Sequence, residues 1–79
     1  MNKNLTGKRI RNLRQELVPP MSQAELARAA TRLGAPLNQD TVSLIENGLR
    51  SVSDIELVAI ARCFKVPAAE LLGERNSPR

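Results

Sequence analysis

The chain has 79 residues and a formal net charge of +4, with 12 lysines and arginines against 8 acidic residues. It has no histidine and one cysteine, which excludes a Ser-His-Asp triad, a Cys-His pair, a zinc site and an internal disulfide. The single aromatic residue, Phe64, is too little for stacking single-stranded bases. We therefore expect one small domain with a polyanionic partner, no cofactor and no enzymatic activity.

Targeting signals are missing from the sequence. No segment is long and apolar enough to span a membrane, and the start of the chain lacks the apolar run of a signal peptide. Cys63 lies in an apolar stretch, where a small buried hydrophobe is favoured over a reactive thiol. These features predict a cytoplasmic protein with a reduced cysteine and no membrane partner.

The first predicted helix covers residues 6–17 and follows an N-terminal arm of residues 1–5. Thr6 is its candidate N-cap. Its apolar residues recur at the three- and four-residue spacing of one buried face: Ile10, Leu13 and Leu17. The helix is expected to end at Val18-Pro19-Pro20, because proline cannot continue a helix and constrains the residue before it.

The second predicted helix covers residues 22–33. It opens with a capping box, in which Ser22 caps the helix and Glu25 reaches back to the cap. Gly34 suits a left-handed terminator. The predicted buried stripe consists of Leu26, Ala30 and Leu33.

The third predicted helix runs from a cap at Asn38 to Glu46, with Gly48 just past its end. Its buried edge is thin and consists of Val42 and Ile45, with Leu44 beside them. The outward strip is polar: Gln39, Asp40, Ser43 and Asn47. A surface helix of this kind is either marginal or meets another molecule with its outer face.

The remaining chain predicts two more helices. A second capping box, Ser53 with Glu56, opens the fourth, whose apolar stripe is Leu57, Ile60, Ala61 and Phe64. Pro67 opens a short fifth helix over residues 67–72, closed by Gly73, and residues 74–79 form a polar tail. The predicted fold class is all-α, with a compact five-helix domain over residues 6–73.

Residues 22–47 have the outline of a helix-turn-helix, two capped helices joined by a turn that begins with glycine. A closer resemblance rests on four sequence motifs: Ser22-Gln23-Ala24-Glu25-Leu26-Ala27, Thr41-Val42-Ser43-Leu44-Ile45-Glu46-Asn47-Gly48, Ile60-Ala61 and Glu70-Leu71-Leu72. In order and spacing they resemble the Cro and phage-repressor-like helix-turn-helix family, also called the Xre family. The resemblance spans roughly residues 6–73. It implies a lambda-repressor-like domain that binds double-stranded DNA.

The resemblance also implies a set of DNA contacts. In the family, the polar residue after the second helix's cap touches a phosphate, and the third helix places its first residues at base edges in the major groove. Residues after the glycine approach the DNA backbone. The expected contact residues here are Gln23, Asn38, Gln39, Asp40, Thr41, Ser43, Asn47 and Arg50. For the third helix, the alternative is a solvated polar face.

Two further positions follow from the resemblance. An arginine late in the family's first helix commonly pairs with the glutamate that ends the third, and Arg14 and Glu46 match those positions. We interpret them as a structural ion pair. Lys65 stands where the family often has glycine, so a mildly strained backbone is expected there.

The sequence departs from the commonest family pattern in its spacing. Leu26 and Glu46 are about five residues further apart than usual, which indicates a lengthened turn. The chain looks similar to a branch of the family that has a longer turn followed by a Val-x-Asp-x-Glu-Leu motif. Residues Val52-Ser53-Asp54-Ile55-Glu56-Leu57 fit that motif. Val18-Pro19-Pro20 also lengthens the first loop. The angle of the third helix is the property that these insertions affect most.

These features favour a DNA-binding transcriptional regulator, specifically a repressor, that acts as a homodimer on an inverted-repeat site without a small-molecule ligand. The alternative is an antitoxin-type protein-binding module that also silences its own promoter. Val66, Leu71 and Leu72 are either intramolecular core or the seam of the dimer.

Overall fold

The computed structural model describes residues 5–72, which form five α-helices and, within that range, no strand. The helices are α1 (Leu5–Glu16), α2 (Gln23–Arg32), α3 (Gln39–Glu46), α4 (Asp54–Phe64) and α5 (Ala68–Leu72). This confirms the predicted all-α, five-helix fold. The predictions for residues 1–4, for Gly73 and for the tail lie outside the described residues. None of the described helices is long and apolar enough to cross a membrane.

The core draws at least one large side chain from every helix. α2 packs against α3 and α4, while α1 packs against α3, α4 and α5. The largest fully buried apolar side chains are Ile10, Leu26, Val42, Ile45, Ile60 and Leu71. Burying a side chain of this size contributes roughly 1.5–3 kcal/mol, so these contacts stabilise a domain that has no disulfide.

Both predicted capping boxes form. At α2 the Ser22 Oγ accepts from the Glu25 amide at 3.0 Å, and the Ser22 amide donates to Glu25 Oε1 at 2.8 Å. At α4 the corresponding distances between Ser53 and Glu56 are 3.3 and 3.0 Å. These bonds satisfy amides that a helix N-terminus otherwise leaves without a partner.

Three helices, α2, α3 and α4, each end in the same type of left-handed turn. The residues with positive φ are Gly34 at 102°, Gly48 at 76° and Lys65 at 58°. Each turn returns two amides to the last turn of its helix, as in the 3.0 Å bond from the Ala35 amide to the Ala30 carbonyl. The glycines have no side chain to strain the turn, but Lys65 has a Cβ, so the expected strain falls at that position.

The structure corrects three expectations about helix ends and faces. α1 begins at Leu5, so Thr6 lies inside the helix and is not its cap. Leu17 lies beyond the end of α1 and is 36% exposed, because the chain has already turned toward the proline pair. Leu33 is the C-cap of α2 and is 44% exposed, since the last turn has left the core face.

The ends of the first loop are tied together. The Met21 amide donates to the Arg14 carbonyl at 3.0 Å, and Arg14 Nη1 donates to the Met21 carbonyl at 3.0 Å. Residues 17–20 between them are exposed. The extra loop residues therefore project into solvent, while the two bonds between Arg14 and Met21 close the loop at its base.

α5 contributes mainly to the interior. Leu71 is completely buried, and Val66 packs partly buried against the core, whereas Leu72 is 41% exposed. The burial of Leu71 supports the interpretation as intramolecular core and removes this residue from a dimer seam.

Candidate nucleic-acid interface

The lengthened turn between α2 and α3 is ordered by one side chain. Thr31 Oγ1 donates to the Ala27 carbonyl at 2.8 Å and accepts from the Leu37 amide at 3.1 Å. Ala35, in the middle of the turn, is fully buried. The turn is therefore a packed connection that fixes α3 against α2. Sequence reasoning missed Thr31, although a hydroxyl in the last turn of a helix commonly bonds back to the preceding turn.

At the N-terminus of α3, two of the expected DNA-contacting residues form the cap. Asn38 Oδ1 accepts from the Thr41 amide at 2.8 Å and from the Thr41 hydroxyl at 3.0 Å. Gln39 and Asp40 follow the cap and are exposed. Within residues 5–72, neither of their side chains has a hydrogen-bond or ion-pair partner. The start of α3 therefore presents two polar side chains that are available to a ligand.

The other end of α3 is held from α1. Arg11 Nη2 donates to Asn47 Oδ1 at 2.9 Å and to the Glu46 carbonyl at 3.4 Å. Asn47 Nδ2 lies 3.4 Å from Ser43 Oγ. Gln39, Ser43 and Asn47 are four residues apart, so they share one face of the helix. Sequence reasoning did not single out Arg11, which lies three residues before Arg14 on the same side of α1.

Leu44 adds an apolar group to this surface. The sequence placed it beside the buried edge, but 42% of it is exposed. It follows Asp40 by four residues and therefore lies next to it on α3. An exposed leucine here can meet the methyl group of thymine, the apolar mark of the major groove.

Glu46 is the buried centre of a polar cluster, the Glu46 cluster, formed with the partly exposed Arg11, Arg14 and Gln23. The glutamate is 1% exposed. Arg14 and Glu46 form a bidentate ion pair, in which Arg14 Nε donates to Oε2 and Nη2 donates to Oε1, both at 2.8 Å. Arg11 Nε adds a longer contact to Oε1 at 3.6 Å. The cluster joins α1, α2 and α3, which supports the structural role expected of Arg14 and Glu46.

The cluster keeps Glu46 ionised. Burial raises the pKa of this carboxyl, but hydrogen bonds from Arg14 and Gln23, with the charges of Arg14 and Arg11, outweigh burial and leave it below its ordinary value. The pKa of Arg14 is raised, chiefly because the guanidinium donates hydrogen bonds to Glu46. Both members therefore stay charged at neutral pH.

Gln23 has a structural partner as well as its expected place at the DNA surface. It is the first residue of α2, directly after the cap, and its Nε2 donates to Glu46 Oε1 at 3.0 Å. An amide nitrogen carries two hydrogens, so one can bond Glu46 while the other points elsewhere. The helix N-terminus around it favours negative charge.

Arg50 forms a two-pronged ion pair with Glu56, the residue that also completes the cap of α4. Arg50 Nη1 and Nη2 donate to the two carboxylate oxygens at 2.9 and 2.8 Å. The expected approach of Arg50 to the DNA backbone would use its remaining donors. The Arg50 hydrogen bonds are the largest cause that lowers the pKa of Glu56 to about 2, and bonds from Ser53 lower it further against the effect of burial.

The low pKa of Glu56 gives a pH-dependent contribution to stability. Because folding lowers the pKa from 4.5 to about 2, the contribution is complete above pH 4.5 and is lost as the pH falls toward 2. We expect Glu56→Gln to lower the free energy of unfolding by roughly 1–2 kcal/mol at neutral pH, since the half-exposed Arg50 is screened by solvent. Urea unfolding of both proteins from pH 7 to pH 2.5 tests this. A gap that stays constant with pH would contradict it.

Together, the fold and the α3 surface define a helix-turn-helix DNA-binding protein. A family model described as helix-turn-helix, of the Cro/C1 type, matches residues 21–71. The chain belongs to this family, whose members are DNA-binding transcription regulators. Comparison with curated proteins and with solved structures gave no match. Within residues 5–72, no group of three or more acidic or cysteine side chains is placed to hold a metal ion.

Proposed function

We propose that the protein is a sequence-specific regulator, in its simplest form a repressor, that reads the major groove with α3. The observation that carries this proposal is the start of α3, where Gln39 and Asp40 are exposed and have no partner within residues 5–72. The rest of α3 is fixed by the Glu46 cluster, in which Arg11 also donates to Asn47. Repression requires only that a protein occupy its site, and a domain of this size can do so.

The proposed contacts divide into two groups. Gln23, with its second amide hydrogen, and Arg50, with its remaining donors, are placed to bind phosphates and so to orient the domain. Gln39, Asp40 and the apolar Leu44 meet base edges. Asn38, Thr41, Ser43 and Asn47 hold the helix in shape and contribute contacts through the donors and acceptors that their internal bonds leave over.

We propose further that the protein binds an inverted repeat as a homodimer. α3 has eight residues, and a helix of that length reads only a few base pairs. A two-fold pair of recognition helices, spaced by one turn of the duplex, doubles the sequence that is read.

Duplex binding should depend steeply on salt. Each phosphate that a cation neutralises releases counterions, so the logarithm of the binding constant falls linearly with the logarithm of salt concentration. We expect Arg50→Ala to weaken binding to all sequences alike and to reduce this slope by about 1. Fluorescence anisotropy of labelled duplexes, chosen by selection from random DNA, measures both quantities.

The control for this measurement is Lys65→Gln, which removes a positive charge outside α2, α3 and the loop that follows them. It should leave the salt slope close to that of the parent. A folded protein that binds no duplex at low salt would refute the proposed function. An Arg50→Ala variant with an unchanged slope would restrict Arg50 to its pair with Glu56.

A further inference from the structure

One face of α4 carries apolar side chains that the domain does not cover. Ile55 is 68% exposed and Val58 is 51% exposed, and Leu33, at the end of α2, lies beside them at 44%. These three residues form what we call the α4 patch. They line a shallow groove together with Asp54, Ala59 and Arg62. Exposed apolar groups that cluster in this way mark interaction surfaces more often than single exposed leucines do.

The charged residues at the two ends of the groove have opposite signs. Asp54 begins α4 and Arg62 lies in its last turn, four residues on either side of Val58. At 1.5 Å per residue the two charges are separated by about 12 Å along the helix, with the apolar residues between them. Residues four apart share a helix face, so Asp54, Val58 and Arg62 follow one line.

This arrangement is complementary to itself. If a second α4 runs antiparallel across the first, with a two-fold axis at Val58, Asp54 of one copy faces Arg62 of the partner subunit, and the reverse pair forms at the other end. A two-fold interface uses the same patch on both copies, and each residue's contact is made twice. Opposite charges at both ends fix the antiparallel orientation, and the apolar centre supplies the affinity.

We propose that the α4 patch is the self-association surface of this protein and that its occupant is the α4 patch of a second copy. This proposal rests on the homodimer of the proposed function. It places the dimer interface on α4, whereas the sequence suggested α5. Leu71 of α5 is completely buried, so the sequence-predicted seam lacks its central residue, whereas α4 offers exposed apolar groups.

The α4 patch contains none of the residues that we propose to contact DNA. Gln39, Asp40 and Ser43 of α3 do not line the groove around the α4 patch. Dimer formation and DNA binding can therefore occur in the same molecule. A single helix pair with one flanking leucine is a small interface, so we expect a reversible dimer that DNA binding strengthens.

The first test is sedimentation equilibrium of the protein without DNA. Val58→Glu places a charge at the centre of the apolar contact and should weaken dimerisation at least about tenfold. The control, Val18→Glu, makes the same chemical change at a residue that is 96% exposed and does not line the groove around the α4 patch, and it should dimerise like the parent. Circular dichroism establishes that both variants are folded.

The second test exchanges the charges. Asp54→Arg alone brings arginine against the partner's arginine at both ends and should weaken the dimer. Adding Arg62→Asp to the same chain restores two opposite-charge pairs and should recover most of the lost affinity. Recovery by the double variant cannot arise from a folding defect, because both substitutions act against the α4 dipole.

The results separate the proposal from its alternatives. A monomeric parent at the highest soluble concentration would overturn it and leave the α4 patch for another protein. A dimer that Val58→Glu and Val18→Glu affect equally, or that the double variant does not restore, would also overturn it. Because these measurements contain no DNA, failure to bind a duplex would refute the proposed function without touching this result.

Discussion

Replacing Glu46 with alanine is expected to lower the free energy of unfolding by about 3 kcal/mol. The substitution removes the two carboxylate oxygens that accept from Arg14, whose side chain is 12% exposed, and so leaves the guanidinium with the Met21 carbonyl but without its counter-charge. It also removes the acceptor of Gln23. For a domain of this size the loss corresponds to a fall in Tm of roughly 12–24 °C, which thermal unfolding by circular dichroism resolves easily. Arg14→Ala should produce a similar loss.

Two controls identify the cause of this loss. Glu16→Ala removes an exposed glutamate from the last residue of α1 and should change Tm little. The double variant Arg14→Met with Glu46→Leu leaves no charge stranded and should recover part of the stability lost by either alanine variant. If Glu46→Ala melts like the parent, the ion pair contributes no more than a surface contact, and the joining role of the Glu46 cluster is wrong.

Substitutions at the start of α3 are expected to change which DNA sequence the protein prefers. Gln39 can donate and accept together, which matches the N6 and N7 edge of adenine, so Gln39→Ala should reduce discrimination at one base pair by roughly 1–3 kcal/mol. The Asp40 carboxylate offers only acceptors, so it can accept a hydrogen bond from the N4 amino group of cytosine and is repelled by the acceptor edge of guanine. Asp40→Asn should then alter the preferred base at a neighbouring position.

The measurement is site selection from random duplex DNA with the parent and both variants, together with their unfolding free energies. A residue that only complements the helix dipole changes stability by a few tenths of a kcal/mol and leaves preference intact. Unchanged preference in both variants would mean that the lengthened turn presents a different part of α3 to the groove. Leu44→Ala then becomes the next variant to examine, since loss of a thymine contact would appear at a third position.

The sequence predicted helices and caps well because their signals are local. The capping boxes of Ser22 with Glu25 and of Ser53 with Glu56 each lie within one helical turn. Gly34 and Gly48 adopt the positive φ that glycine favours just after a helix. The ends of buried stripes were less predictable. Leu17 and Leu33 continue the three- and four-residue spacing of the apolar residues before them. Whether a helix still faces the core at its last turn, however, depends on where the neighbouring helix stops.

In the candidate site, too, some contacts were predictable from the sequence and others depend on how the helices pack. The family resemblance placed Arg14 beside Glu46 across 32 residues of chain, which spacing alone could not have done. The contacts of Arg11 with Asn47 and of Arg50 with Glu56 were missed, because they depend on how α1 packs against α3 and on the path of the loop between α3 and α4. The exposure of Ile55 and Val58 was hidden for a similar reason. In the sequence they look like core residues of an apolar helix, and only packing shows that nothing in residues 5–72 covers them.

The internal bonds of α3 divide its surface into a rigid part and an adaptable part. Asn38, Ser43 and Asn47 are held before any ligand arrives, so they lose little conformational entropy on binding. In the proposed complex, Gln39 and Asp40 are ordered by the DNA itself, at a cost of about 0.5–1.5 kcal/mol for a flexible side chain such as Gln39. In that complex the fixed residues give the same docking geometry on any duplex, and Gln39 and Asp40 adopt the rotamers that suit the bases they meet. Under the proposed function, changing these two positions alone would alter the preferred DNA sequence while the frame that presents them stays as it is.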